Sequence, residues 1–147
     1  MRATNLRWGS MSSRNVENAR KLLDLFCRNE LEEAATYFAE DATLRNNVVS
    51  DVKRGRAAIL EHLKRWHTSF SDAAARDVQF LDAGDTVIGL FYGEGTHTGP
   101  LGDIPATGKR YSIRYCEIYR FGPDGKIVAD EAFLDQLSML RQLGLAT

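Results

Sequence analysis

The chain has little that would commit it to a metal, a nucleic acid or a membrane. Its 147 residues include two cysteines, three histidines and three prolines. Cys27 and Cys116 lie far apart without metal-ligand spacing, Cys27 behind Phe26 on an apolar helix face and Cys116 inside a strand-like run. Both read as reduced, buried small residues of a cytoplasmic protein. No two histidines share a ligand spacing with a carboxylate, so no metal is expected. A basic surplus is missing too: 19 Lys and Arg face 20 Asp and Glu, for a net charge of −1. That balance argues against nucleic acid as a partner. Apolar runs are only a few residues long, which excludes a membrane-spanning helix. No Gly-rich loop follows a strand to cradle phosphate, and no Ser or Cys sits on a nucleophile elbow. The opening carries no secretion signal. Residues 1–10 show no periodicity and read as a leader or loose arm, leaving 11–147 as a single domain.

What is present changes period half-way along. Ser12 and Ser13 can cap a helix whose apolar residues Val16, Ala19, Leu22, Leu23 and Phe26 recur at helical steps. A second short helix carries Leu31, Ala34, Ala35 and Phe38, and Asp41 to Leu44 enter a short strand. A third helix from Arg56 carries Ile59, Leu63, Trp66 and Phe70. After Asp72 the period becomes two. A strand with Val78 and Phe80 turns at Asp82–Asp85, and long strands follow over Thr86–Thr98 and Tyr111–Phe121. Gly122-Pro123-Asp124-Gly125 makes a hairpin turn, Ile127–Phe133 returns, and Asp135 can cap a last helix with Leu137, Leu140 and Leu143. Helices followed by an antiparallel meander give an α+β fold. Long strands curve, so the sheet should form a cone under the helices and enclose a small-molecule pocket.

Hairpin geometry places Glu117 opposite Asp130, with Tyr119, Tyr115 and Ile113 on the face of Glu117. Facing carboxylates are costly in a ladder, and in a dry pocket one of them keeps its proton, which supplies an acid and a base side by side. A one-residue slip would instead turn both to solvent. By alternation with Ile88, Leu90 and Tyr92, Glu94 also points inward. Asn46 can orient a carbonyl or a water, or serve turn chemistry. His97 is an acid/base, a hydrogen-bond donor or a strand-end cap. Trp66 belongs to the core or the pocket wall. His62 and His67 face solvent or the pocket rim, and Glu131 points to the opposite face from Asp130.

Several motifs resemble the SnoaL-like polyketide cyclases, a branch of the nuclear-transport-factor-2-like superfamily. They are Gly95-Thr96-His97-Thr98-Gly99, Pro105-Ala106-Thr107-Gly108, Tyr119-Arg120-Phe121 with Asp124-Gly125-Lys126-Ile127, and Gln142-Leu143-Gly144. Phe38 to Ala42 and Arg54 to Ile59 add weaker support. The resemblance runs from Val16 to Gly144. It implies a cone with a deep pocket, a homodimer packed through the outer sheet face, a hydrophobic small-molecule substrate and no cofactor. Where the family usually has a His and a Trp after the hairpin, this chain has Asp130 and Glu131. The resemblance gives Asp130 the acid/base role of the cyclases, places Glu117 where a helper His often stands, and makes Asp135 the family's final Asp, which can also be a plain helix cap. The expected catalytic residues are therefore Asp130 and Glu117. Asn46, Trp66, Tyr92, Glu94, His97, Tyr115 and Asp135 are the expected substrate contacts, with Asn46 and Tyr115 or Tyr92 steadying an oxyanion. An epoxide hydrolase reading needs an inward Arg between two Asp, and Arg114 falls on the other face.

Overall fold

A computed structural model describes residues 13–147, so the leader expected at 1–10 lies outside the described residues. The order is α1 (Arg14–Cys27), α2 (Leu31–Ala35), β1 (Phe38–Asn46), β2 (Lys53–Arg54), α3 (Arg56–Ser69), β3 (Ala74–Ala83), β4 (Thr86–Thr96), β5 (Arg110–Phe121), β6 (Ile127–Leu134) and α4 (Gln136–Gln142). The strands form one curved sheet in the order β2-β1-β6-β5-β4-β3, an α+β architecture with the helices on its concave side. No helix among the described residues is long and apolar enough to cross a membrane.

The helices form where capping and periodicity coincide. Ser13 caps α1 by accepting from the Val16 N–H at 3.1 Å. The stripe Val16, Ala19, Leu22 and Leu25 is buried against Phe38, Ile127 and Phe121, while Leu23, Phe26 and Cys27 turn toward an internal cavity. Arg14, Asn15 and Asn18 bond to the carbonyls of Pro123, Gly84 and Gly125, tying the start of α1 to two hairpin turns.

Phe38 belongs to β1 rather than to the second helix. It is 1% exposed, and β1 runs parallel to β6, a pairing that local sequence does not announce. β3 also begins earlier than expected, at Ala74, and is broken by a bulge at Asp77 and Val78, where Asp77 has φ 54°. Two side-chain amides extend the sheet. Asn47 accepts from the Leu134 N–H and donates to the Leu134 carbonyl, and Gln142 does the same for Ser112. Each amide stands in for a strand partner where the ladder runs out.

Candidate active site

The concave face of β5 reads Tyr111, Ile113, Tyr115, Glu117, Tyr119 and Phe121, so one strand supplies three phenols and a carboxyl at alternate positions. Across from it on β6, Asp130, Ala132 and Leu134 face the same cavity. The register departs from simple hairpin geometry. Val128 is an extra residue on β6, and past this bulge Tyr119, not Glu117, lies opposite Asp130, while Glu117 lies opposite Ala132. The two carboxyls are therefore diagonal neighbours rather than directly facing, and both still point into the cavity.

Asp130 is 3% exposed, and its Oδ1 is buried without a partner. Burial pushes its pKa well above the usual carboxylate range, and the adjacent Glu117 charge and hydrogen bond push it further. Burial also raises Glu117, but hydrogen bonds from Asp130 and from the Tyr119 hydroxyl hold it back. The pair thus prefers to share one proton, with Asp130 holding it and Glu117 accepting. The phenols stay protonated. Tyr111 is pushed up to about 12, chiefly by burial, and Tyr115 and Tyr119 lie well above their ordinary values for the same first cause.

The remaining walls are mostly apolar: Leu22, Phe26, Phe38, Leu63, Trp66 and Phe91, with Cys27, Asn46 and His62 among the few other polar groups. Tyr115 stacks on Phe91 at 5.4 Å and an interplanar angle of 8°. The interior leaves about 130 Å³ for the centres of water-sized molecules. That is similar to the roughly 150 Å³ of an engineered apolar cavity that takes up benzene, so a ring-sized group fits. Among the described residues no three His, Cys, Asp or Glu side chains converge as metal ligands would.

The profile of SnoaL-like polyketide cyclases matches residues 17–143. The chain belongs to that family. No curated protein sequence matches it. Among solved structures it resembles AclR from Streptomyces galilaeus, named a candidate hydroxylase, at TM-score 0.76 and 21% identity over 94% of this chain and 100% of that one. IdmH from Streptomyces antibioticus, named a candidate polyketide cyclase, gives 0.74 and 25% over 90% and 99%. A candidate isomerase from Bacillus subtilis gives 0.75 and 18% over 90% and 94%.

Within this SnoaL-like pocket the expected contacts divide. Trp66 and Tyr115 line the cavity. Asn46 lines it too, but its Oδ1 already accepts from the Val48 and Val49 N–H groups at 2.9 and 3.1 Å, so it performs turn chemistry as well. Tyr92 is not in the site. It faces the outer side of the sheet between the guanidinium groups of Arg76 and Arg114, at 4.5 and 5.0 Å from its ring centre. Glu94 shares that outward alternation, and although it borders the cavity its carboxylate is engaged by Arg76 and Arg110 at 3.5 and 3.7 Å.

The inward positions of β4 are Val87, Gly89, Phe91, Gly93 and Gly95. Those glycines are points of close approach. A Cβ on Gly93 would come within 2.5 Å of the Tyr115 ring, one on Gly95 within 3.1 Å of Phe70, and one on Gly89 within 3.4 Å of Phe80 and Tyr119. The strand gives up its side chains so that aromatics from neighbouring elements can fill the cone.

His97 is fully buried outside the cavity. Its Nδ1 accepts from the Thr107 N–H at 3.2 Å and its ring packs on Phe70, so it anchors the segment between β4 and β5. Asp135 caps α4, accepting from the Ser138 N–H at 3.0 Å and hydroxyl at 2.6 Å, away from the cavity. Tyr119 and His62 were missing from the expected contacts. Both had a signal: Tyr119 alternates with Glu117, and His62 lies three residues after Ile59 and four before Trp66 on α3.

Proposed function

We propose that this chain is a cofactor-independent cyclase-like enzyme that closes a ring by acid/base catalysed intramolecular aldol chemistry on a hydrophobic polyketide-type small molecule. The observation that carries the reading is the neighbouring carboxyls of Glu117 and Asp130 lining the apolar cavity of a SnoaL-like chain. Glu117, the carboxylate of the pair, removes a proton from a carbon next to a carbonyl. The protonated Asp130 and the Tyr119 hydroxyl hydrogen-bond the enolate oxygen as it develops. The enolate carbon then attacks a second carbonyl of the same molecule, and the resulting alkoxide takes a proton from Asp130. The proton on Glu117 passes back to Asp130, which regenerates the pair. Apolar walls hold the chain folded so that the two carbons meet, a contribution that can reach several powers of ten in rate.

The same pair supports an isomerase or dehydratase if Glu117 returns its proton at a different carbon or Asp130 protonates a leaving hydroxyl. A binding role without turnover is the alternative from another class. Asp130→Asn decides between enzyme and binder: an enzyme loses turnover while ligand affinity survives, and native turnover in this variant refutes the assignment. The reading also takes the outer sheet face, where Leu90, Cys116 and Phe133 lie in register, as the surface on which a second copy packs. Sedimentation of Phe133→Glu as a monomer beside a dimeric wild type would support it, and a monomeric wild type would refute it.

A further inference from the structure

One polar group on the helix side of the cavity has no part in the chemistry just described. His62 lies on the face of α3 that carries Ile59, Leu63 and Trp66, and it forms part of the cavity wall. The other two histidines are held within the protein, His67 by the Phe26 carbonyl at 2.7 Å and His97 by Thr107. His62 has no hydrogen bond to any described residue, so both ring nitrogens are free for a ligand. Burial lowers its pKa to about 4, aided by Lys53 of β2 and Arg65 of α3 and opposed by Asp51 of the preceding loop. Asp51 is itself ion-paired with Lys53. The imidazole therefore stays neutral at physiological pH, with one N–H donor and one acceptor nitrogen. That pairing suits a hydroxyl, which can give and take, or a ketone carbonyl, which takes.

The carboxyl pair sits on the sheet and the imidazole on the helix covering it, so a ligand between them meets a polar group on each wall. We propose that His62 is a second substrate-binding residue, holding a neutral hydroxyl or carbonyl oxygen on the end of a hydrophobic ring compound remote from the end held at Glu117 and Asp130. The inference rests on the cavity being the substrate site. It makes His62 a selector for oxygenated over plain hydrocarbon ends, and it fixes which end of the molecule reaches the carboxyl pair.

The test is binding of β-naphthol and of its counterpart with a second hydroxyl on the distant ring, followed by calorimetry in wild type, His62→Leu and His62→Gln. The diol should bind wild type about fivefold more tightly than β-naphthol, equivalent to about 1 kcal/mol. In His62→Leu the two should bind alike, while His62→Gln, with an amide donor and acceptor, should keep part of the advantage. By NMR the His62 ring should remain neutral down to about pH 5, below the ordinary histidine value near 6.5. The proposal is overturned if the diol has no advantage in wild type, if the advantage survives His62→Leu, or if His62 titrates near 6.5. A carboxylate at the same ring position, binding more tightly than the diol, would also overturn it. The probes need no turnover, so these results are independent of whether Asp130→Asn abolishes catalysis.

Discussion

Asp130→Asn should make the protein more stable near neutral pH while removing its activity, and the gain should depend on pH in a defined direction. The unfolded chain releases the Asp130 proton near the ordinary value of about 3.9. The folded chain keeps it, because the side chain is 3% exposed, one oxygen has no partner and Glu117 lies beside it. Above the ordinary value the folded state therefore binds the extra proton, so folding stability falls as pH rises, until the folded pKa is passed. Within that window the loss approaches about 1.4 kcal/mol per pH unit for one proton. Asparagine has the same shape, carries no charge, and can still donate a hydrogen bond to Glu117. The variant keeps the slope due to Glu117 and loses the one due to Asp130. Between pH 4.5 and 5.5 the gap between variant and wild type should widen by about 1 kcal/mol, or about 2–4 °C in Tm for a domain of this size. Thermal melts of both proteins, followed by circular dichroism from pH 4 to 7.5, measure it directly. A gap that stays constant across that range would show Asp130 titrating as an ordinary carboxylate, and the proton-sharing argument would fall with it.

Other perturbations separate site from scaffold. Tyr119→Phe removes a hydroxyl that helps keep Glu117 ionised, so stability should fall by up to about 1.5–3 kcal/mol and turnover by about 10–100-fold; an unchanged rate would remove Tyr119 from the site. Gly93→Ala forces a Cβ to within 2.5 Å of Tyr115 and should cost about 1–3 kcal/mol in urea unfolding, clearly more than Gly89→Ala, whose new Cβ meets its neighbours at 3.4 Å. Equal costs at the two positions would contradict the close-approach argument. Asp135→Ala should lower stability by about 0.5–2 kcal/mol through loss of the α4 cap and leave turnover intact. A loss of turnover without a loss of stability would return Asp135 to the active site.

The helices, the hairpin, the curved sheet and the inward face of Glu117 were readable because each is signalled locally, by capping residues, helical steps, alternation or a Gly-Pro-Asp-Gly turn, whereas the inward turn of Asp130 depends on the bulge at Val128. The failures share a cause. On β4 the outward row Ile88, Leu90 and Tyr92 is more hydrophobic than the inward row, which carries Gly89, Gly93 and Gly95. Alternation thus points to the wrong face, and the reason, aromatic rings arriving from β3, β5 and the segment after α3, lies far away in sequence. The parallel pairing of β1 with β6 and the bulge at Val128 are likewise tertiary. His97 and Asp135 carry chemistry-bearing side chains that the structure spends on a loop anchor and a helix cap.

The bulge at Val128 also acts as a parity switch. Ile127 points inward below it, so strict alternation would bring Ala129 and Glu131 to the concave face; the extra residue brings Asp130 and Ala132 there instead. Acids stand at both parities in Asp130-Glu131, and the backbone, not the side chains, decides which one is internal and which one salt-bridges Arg45 outside. Pairing Val128 regularly, with no residue lost, would exchange the two carboxyls without altering either, whereas deleting Val128 would leave Asp130 inside. Relatives with a hairpin of equal length but no bulge can therefore hold an acid at the same depth from a different column of an alignment, and matching columns would miss it.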